Sequence, residues 1–288
     1  MENLLVCTDG AFPYTESCFK YAEWIAKKMK ASLDILYVSD SHAFDFSIMT
    51  DFSGSLGVQP YQNLHSQLQQ VEQEKTKIVQ EMTRQFFEKA GLSENVHFHH
   101  ETGSLVDCYQ KYENSTRGFD LVILGKRGES VNSATEHLGS NLERVIRSSK
   151  RPCFVACREY SPIQKVALAF DDSPSVRHAV QFLIRSPLFK DAELNLIAIH
   201  EDEDETVPES VLKALATTAE TLQDAGYKVK TTVVQDEVSD GVTHYITDNK
   251  IDLLIMGAYG HSAIRHLLIG STTTDLIRRC KTSVLLFR

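Results

Sequence analysis

The chain has 288 residues, of which 42% are hydrophobic and 24% are charged, and this composition excludes a mostly disordered protein. Its formal net charge of −9 disfavours a protein that binds nucleic acid through the phosphate backbone. No apolar run approaches the length of a membrane span, and the N-terminus lacks the basic and apolar regions of a signal peptide. We therefore expect a cytoplasmic protein, with no nucleic-acid partner and no membrane span.

Strands and helices are predicted to alternate along the whole chain. Apolar or alternating runs predict the strands 4–8, 33–38, 96–100, 121–124 and 153–156, then 166–170, 194–199, 229–234, 253–256 and 284–287. The longest predicted helix carries apolar residues at spacings of three, four or seven, namely Leu64, Leu68, Val71, Ile78, Met82 and Phe86. Such alternation predicts an α/β fold of two units, each with a five-stranded, mainly parallel sheet covered by helices on both faces.

The two halves of the sequence repeat each other. The run Asp120-Leu-Val-Ile-Leu-Gly125 recurs 132 residues later as Asp252-Leu-Leu-Ile-Met-Gly257. We predict two domains, 1–158 and 163–288, separated by a short polar stretch. The last strand of each half is expected to pair antiparallel with the other, so that one chain takes the form of a dimer of single domains. A homodimer of whole chains stays open.

A glycine-rich loop follows the fourth predicted strand of the second half. It reads Gly257-Ala-Tyr-Gly260, then nine residues, then Gly270-Ser-Thr-Thr-Thr274 at the start of a predicted helix. Glycines let the backbone bend, and a helix N-terminus with hydroxyl side chains can bind a phosphate. A turn followed by a helix cap is the alternative reading of the same residues. Neither a dinucleotide-binding GxGxxG after the first strand nor a Walker loop is present.

This spaced glycine motif, after an Asp-Leu-Leu-Ile-Met strand, resembles the universal stress protein family. The resemblance covers nearly the whole chain, twice, and implies tandem Rossmann-like or flavodoxin-like α/β sandwiches that bind ATP, with Mg²⁺ carried by the nucleotide. It implies a stress-response or regulatory role, with an unknown protein partner. The nucleotide-binding residues that it implies in the second half are Phe170, Asp171, Ile199, Met256, Gly257, Tyr259, Gly260, Gly270, Ser271, Thr272 and Thr273.

The first half departs from this motif. Ten residues rather than nine separate Gly128 from Gly139, and no hydroxyls stand where Thr272 and Thr273 stand in the second half. Lys126 and Arg127 are extra cations that could attract phosphate. We expect a weaker or altered site here, made of Thr8, Asp9, Val38, Gly125, Arg127, Gly128, Gly139, Ser140 and Asn141.

The first half also contains an unusually long connection, at about 39–63, which we interpret as an insertion that folds back on its own domain. A lid, a surface for a partner and a hydrophobic ligand site are the alternatives. We find no set of nucleophile, base and orienting group, so we predict no catalytic residue, no metal held by the protein and at most slow ATP hydrolysis. Two alternatives stay open: an enzyme that hydrolyses ATP slowly or transfers a nucleotidyl group, and an interaction module that binds no nucleotide.

Overall fold

In the computed structural model, strands from both halves form one ten-stranded sheet. The structure describes residues 1–39, 59–115, 118–126, 140–201, 206–258 and 271–288, except for the side chains of 59–65, 140 and 271. The strands are β1 Asn3–Thr8, β2 Ser32–Ser39, β3 Val96–Thr102, β4 Leu121–Gly125, β5 Cys153–Ala156, β6 Lys165–Ala169, β7 Glu193–His200, β8 Lys228–Gln235, β9 Leu253–Gly257 and β10 Ser283–Phe287. Their order is β3-β2-β1-β4-β5-β10-β9-β6-β7-β8. The predicted α/β fold class is therefore confirmed.

Helices connect the strands within each half and cover both faces of the sheet. In the described residues they are α1 Tyr14–Met29, α2 Gln59–Lys89, α3 Leu105–Glu113, α4 Ser140–Ser148, α5 Pro174–Arg185, α6 Glu209–Asp224, α7 Val238–Asn249 and α8 Ser271–Arg279, with a short 3-10 helix at Ser93–Asn95. Among them, none is both long enough and apolar enough to cross a membrane.

The sheet separates two hydrophobic cores because successive strand residues point to opposite faces. In β1, Leu4 and Val6 join the core beneath α1, α2, α5 and α6, whereas Leu5 and Cys7 join the core beneath α3, α4, α7 and α8. Each core contains residues from both halves of the chain. The halves are thus two parts of one hydrophobic structure.

The junction between the halves is the antiparallel pairing of β5 with β10, as the sequence predicted. Side chains from the α1 side reinforce this pairing. The rings of Trp24 and Phe189 lie 5.9 Å apart, and the ammonium of Lys28 lies 2.7 Å from a carboxylate oxygen of Asp191. The pairing also removes one exposed edge from each five-stranded unit.

The aspartate that opens the repeated run has a structural role in both halves. Backbone N–H groups of Gln164 and Lys165 donate to Oδ2 of Asp252 over 2.9 and 2.8 Å. Asp120 Oδ2 accepts from Glu2 N and Asn3 N in the same way, over 2.6 and 3.3 Å. Each aspartate therefore fixes the start of the central strand of its own half, β6 or β1.

The long connection predicted at 39–63 is only partly described. Its last residues belong to α2, which begins at Gln59, and 40–58 lie outside the described residues. The predicted long helix is confirmed, but its spacing did not identify its buried side. Val79, Thr83 and Phe87 are buried, whereas Val71 is 59% exposed and Ile78 is 67% exposed.

Candidate functional site

The carboxyl ends of β6 and β9 form a topological switch point in the C-terminal half. β6 lies between β7 and β9, and the chain leaves it through α5 towards β7 and returns through α7 to β9 on the other side. Ligands of open α/β sheets bind in the crevice that such opposite connections create. Asp171 lies two residues beyond β6, and Gly257 ends β9. The structure therefore brings these two predicted site residues to one edge of the sheet.

Asp171 lies in a tight turn that begins α5. Its Oδ1 accepts a hydrogen bond from the backbone N–H of Ser173 over 2.9 Å, which is an Asx turn. The next residue, Asp172, has a left-handed backbone conformation with φ of 54°. Ser173 caps the helix by accepting from Val176 N over 3.3 Å. Because the turn is hydrogen-bonded on both sides, the exposed Asp171 carboxylate is held at the mouth of the crevice.

The N-terminal half repeats this turn. Asp9 Oδ1 accepts from Ala11 N over 3.0 Å, and the intervening Gly10 has φ of 80°. Here the turn is covered by α2, because a Cβ added to Gly10 would lie 2.8 Å from Cγ2 of Val79. Asp9 is correspondingly half-buried. The long helix of the first half therefore restricts the space around the predicted site of that half.

Gly257 is required by the packing of α5 against β9. A Cβ at this position would lie 2.9 Å from the Cβ of Ser175, in the first turn of α5. Contacts that short are essentially absent from real structures, so the first turn of α5 can approach β9 only because residue 257 has no side chain.

The first turn of α8 is fastened to the chain that leaves β9. Thr273 is buried and donates its hydroxyl hydrogen to the carbonyl of Ala258 over 3.3 Å, while Thr272 is exposed. The first turn carries no acidic side chain, so the positive end of the helix dipole is not neutralised by the helix itself. Tyr259, Gly260, Gly270 and the side chain of Ser271 lie outside the described residues.

The predicted apolar residues of the C-terminal site divide between the two faces of the sheet. Ile199 and Met256 belong to the core on the α7 and α8 side, which is also the side of the predicted phosphate helix. Phe170 belongs to the opposite core, and its backbone N–H donates to Ile197 O over 2.7 Å. The structure thus brings Ile199 and Met256 to the same side as α8 but does not bring Phe170 there.

In the N-terminal half, the corresponding helix start differs chemically. α4 begins with the sequence Ser140-Asn-Leu-Glu143, whereas α8 begins with Ser271-Thr-Thr-Thr274. Glu143 places a carboxylate in the first turn, where α8 has Thr274. The glycines and hydroxyl residues of the loop did not indicate this difference between the halves. A negative charge at this position opposes the binding of a phosphate.

The other predicted residues of the N-terminal site are only partly described. Thr8 is buried, and its hydroxyl lies 2.7 Å from that of Thr15 and accepts from Gly10 N over 3.0 Å. Val38 is buried, whereas Asn141 is exposed at the start of α4. Gly125 ends β4, while Arg127, Gly128, Gly139 and the side chain of Ser140 lie outside the described residues.

Lys126 has a different role from the phosphate-attracting cation that its place beside Arg127 suggested. Its side chain is buried, and its Nζ donates to the carbonyl oxygens of Cys280 and Thr282, the latter over 2.8 Å. These carbonyls follow α8, in the other half of the chain. Burial lowers the pKa of the Lys126 ammonium, and the negative end of the α8 dipole favours a cation at this place. Lys126 is therefore a contact between the halves.

A second cation makes a similar contact in the opposite direction. Arg288, the last residue of the sequence, donates from Nη1 to the carbonyl of Arg147 over 2.9 Å, near the end of α4. Ala258, which follows β9 as Lys126 follows β4, is buried and carries no charge. The repeat therefore has two different cationic contacts at its junction.

Comparisons with protein families, with curated proteins and with solved structures all find universal stress proteins. A model of the "Universal stress protein family" matches residues 1–156 and again residues 162–288. Universal stress protein Slr1230 of Synechocystis is 37% identical over 295 residues, which cover all of both chains. A crystal structure of a universal stress protein from Archaeoglobus fulgidus covers 99% of this chain and 96% of its own, with 20% identity and a TM-score of 0.69.

A further solved structure matches a single half. It is described as a universal stress protein in complex with cAMP, is 24% identical, and covers 44% of this chain and 98% of its own with a TM-score of 0.35. The cAMP is a ligand of that protein. The family match over both halves and the full-length relative lead to one conclusion: the chain belongs to the universal stress protein family.

Proposed function

We propose that the chain binds ATP together with Mg²⁺ in its C-terminal domain, residues 163–288, and acts in the cytoplasm as a nucleotide-dependent regulator of a stress response. One observation carries the proposal. The acid-free first turn of α8 is bonded through Thr273 to the end of β9, beside the switch point that also holds Asp171. A fixed helix N-terminus next to an exposed carboxylate can hold a phosphate chain at one end and a ribose at the other.

Different residues of this site bind different parts of the nucleotide. Backbone N–H groups at the start of α8 and the hydroxyls of Ser271 and Thr272 bind the phosphates. The Asp171 carboxylate accepts from ribose hydroxyls or helps to hold Mg²⁺. Ile199 and Met256 border the adenine, on the face of the sheet that α8 covers. Phe170, on the other face, supports the turn of Asp171. The loop glycines 257, 260 and 270, with Tyr259 and Thr273, complete the site.

The N-terminal domain, residues 1–158, binds nucleotide weakly in this proposal. Glu143 brings a carboxylate to the helix start, and the amide of Asn141 replaces a hydroxyl there. The ammonium of Lys126 is held by the other half of the chain. Each of these differences reduces the attraction for a phosphate chain.

The first experiment measures where Mg-ATP binds. Calorimetric titration compares the wild-type chain, freed of nucleotide that copurifies with it, with Thr274→Glu and Glu143→Thr. The first substitution gives α8 the carboxylate of α4, and the second removes that carboxylate from α4. Repulsion of the phosphates by the new charge is worth about 1 kcal/mol, so we expect Thr274→Glu to weaken binding about fivefold.

The outcomes of this titration show which half of the chain binds the nucleotide, or that neither does. If wild type binds, Thr274→Glu weakens binding and Glu143→Thr leaves the C-terminal affinity unchanged, the proposed site is supported. If only Glu143→Thr changes the measured affinity, the nucleotide site lies in the N-terminal half. If wild type does not bind, the interaction-module alternative replaces this proposal. Steady-state release of phosphate from the binding-competent protein then tests the remaining alternative, an enzyme.

A further inference from the structure

Asp236 follows β8 at the carboxyl edge of the sheet, close to one of the residues that border the adenine in the proposed site. Its backbone N–H donates to the carbonyl of His200 over 3.3 Å, at the end of β7. The Cβ of Asp236 and the Cδ1 of Ile199 lie 3.0 and 3.4 Å from the position that a Cβ on Gly241 would take. Asp236 therefore lies beside Ile199, on the face of the sheet that α7 and α8 cover.

The Asp236 carboxylate has little structural work at this place. The N-cap residue of α7 is Glu237, whose side chain makes no capping hydrogen bond. Asp236 Oδ1 accepts from the adjacent Glu237 N over 2.8 Å, and Oδ2 lies 3.1 Å from Nδ1 of His244. The His244 side chain is 68% exposed, so this pair adds little stability. Each oxygen of an ionised carboxylate accepts more than one hydrogen bond, and these contacts are therefore compatible with a ligand.

The first half makes the same turn without a carboxylate. The backbone N–H of Gly103 donates to the end of β2 over 3.0 Å, as that of Asp236 donates to the end of β7. The helix that follows shows the opposite exchange, with Cys108 in α3 at the place that Gly241 has in α7. A side chain at position 241 would crowd the Cβ of Asp236, so the glycine makes room for the aspartate. The fold itself therefore does not require an aspartate at this turn.

A carboxylate beside the base distinguishes two kinds of purine. An ionised carboxylate only accepts hydrogen bonds, and the exocyclic amino group of adenine donates them. Guanine and hypoxanthine carry a carbonyl oxygen in place of that amino group, and an oxygen without a hydrogen is repelled by the negative charge. A site that is built to bond a donor rejects an analogue that lacks it, because the polar group of the site is then left without its partner.

We propose that Asp236 determines the base specificity of the C-terminal site. Its carboxylate accepts a hydrogen bond from the exocyclic amino group of adenine and excludes purines that carry a carbonyl oxygen in place of that group. This role rests on the proposed function, since Ile199 borders an adenine only if a nucleotide occupies this site. It adds the group by which the base is selected. The first half, with Gly103 at the same place, supplies no such side chain.

Calorimetric titration of the full-length protein with the magnesium complexes of ATP and inosine triphosphate tests this role. Inosine triphosphate has the carbonyl oxygen in place of the amino group. Wild type should bind ATP about tenfold more tightly, which is the effect of one hydrogen bond to a charged acceptor. Asp236→Asn should bind both with nearly equal affinity, because an amide accepts from an amino group and donates to a carbonyl oxygen. Asp240→Asn is the matched control, since it makes the same change at an aspartate of α7 that Arg279 binds, and it should keep the wild-type preference.

The outcomes distinguish a failure of this role from a failure of the proposed function. If wild type binds neither nucleotide, the proposed function fails and the role of Asp236 fails with it. If wild type binds the two nucleotides equally well, the nucleotide site is retained and the role of Asp236 is overturned. The role is also overturned if Asp236→Asn weakens both nucleotides by the same factor, which is the behaviour of a residue that only supports the fold. Far-UV circular dichroism verifies that each variant is folded.

Discussion

Replacing Lys126 with methionine should destabilise the whole chain rather than weaken a phosphate site. Methionine keeps the apolar stem but removes the ammonium that bonds the carbonyls of Cys280 and Thr282. Each hydrogen bond from a charged donor contributes about 1.5–3 kcal/mol net, and loss of the cost of burying the ammonium offsets part of this. We therefore expect Lys126→Met to lower the free energy of unfolding by about 2–4 kcal/mol.

Urea unfolding followed by tryptophan fluorescence suits this measurement. Trp24 is the single tryptophan of the chain, and its ring packs 5.9 Å from that of Phe189 at the junction of the halves. Its fluorescence therefore reports on the junction, while far-UV circular dichroism reports on all helices. Lys281→Met makes the same chemical change at an exposed residue, and it should alter the free energy of unfolding by less than about 0.5 kcal/mol.

The pH dependence gives a second test of the same contact. Burial lowers the pKa of Lys126 in the folded state below its ordinary value of 10.5. At pH values below 10.5, the unfolded chain therefore binds this proton more tightly than the folded chain does, and raising the pH favours the folded state. The stability difference between wild type and Lys126→Met should widen from neutral pH towards 10.5. Equal stability of the two proteins, or a difference that shrinks as the pH rises, would refute the reasoning.

Three further predictions concern the repeat and the cores. Gly257→Ala should lower the free energy of unfolding by about 1–3 kcal/mol, because the new Cβ clashes with Ser175, and adding Ser175→Gly should recover part of that loss in urea unfolding. If the effects of the two substitutions simply added, the clash would be contradicted. Asp252→Ala should lower the free energy of unfolding by about 1.5–3 kcal/mol, because two backbone N–H groups at the start of β6 lose their acceptor. A change below about 0.5 kcal/mol in thermal unfolding would refute this. Burial raises the pKa of the Cys153 thiol to about 12, so it should react with a thiol reagent at pH 8 only after unfolding; peptide mapping that finds it labelled in the native protein would count against the buried core.

The strands were predictable because their signals are local. All ten predicted runs are strands in the structure, with ends that differ by a few residues at most. Phe170 is an instructive exception, since β6 ends at Ala169 and the following residues enter the turn that precedes α5. The hydrogen bond of Asp171 to Ser173 ends the strand there, and an apolar run alone does not contain that information.

The roles of charged residues were less predictable because their partners are distant in sequence. Lys126 beside Arg127 suggested a phosphate site, yet its acceptors lie 154 and 156 residues away across the junction. The spacing of apolar residues in α2 likewise predicted the helix but not its buried side, because a helical period does not say which neighbour covers which face. Glu143 could have been found from the sequence, because aligning the two repeats places it opposite Thr274.

The fusion of two copies into one chain explains why their chemistry can differ. In a dimer of identical chains, the residue after the fourth strand would be the same at both ends of the junction. Here one end has Lys126 and the other has Ala258, with Arg288 supplying the second cationic contact. The first copy can therefore use its loop lysine to hold the end of α8, while the second copy keeps an acid-free α8 start beside Asp171. Because Lys126 stabilises the far end of that same helix, the N-terminal half supports the proposed nucleotide site of its partner half even if it binds no nucleotide itself.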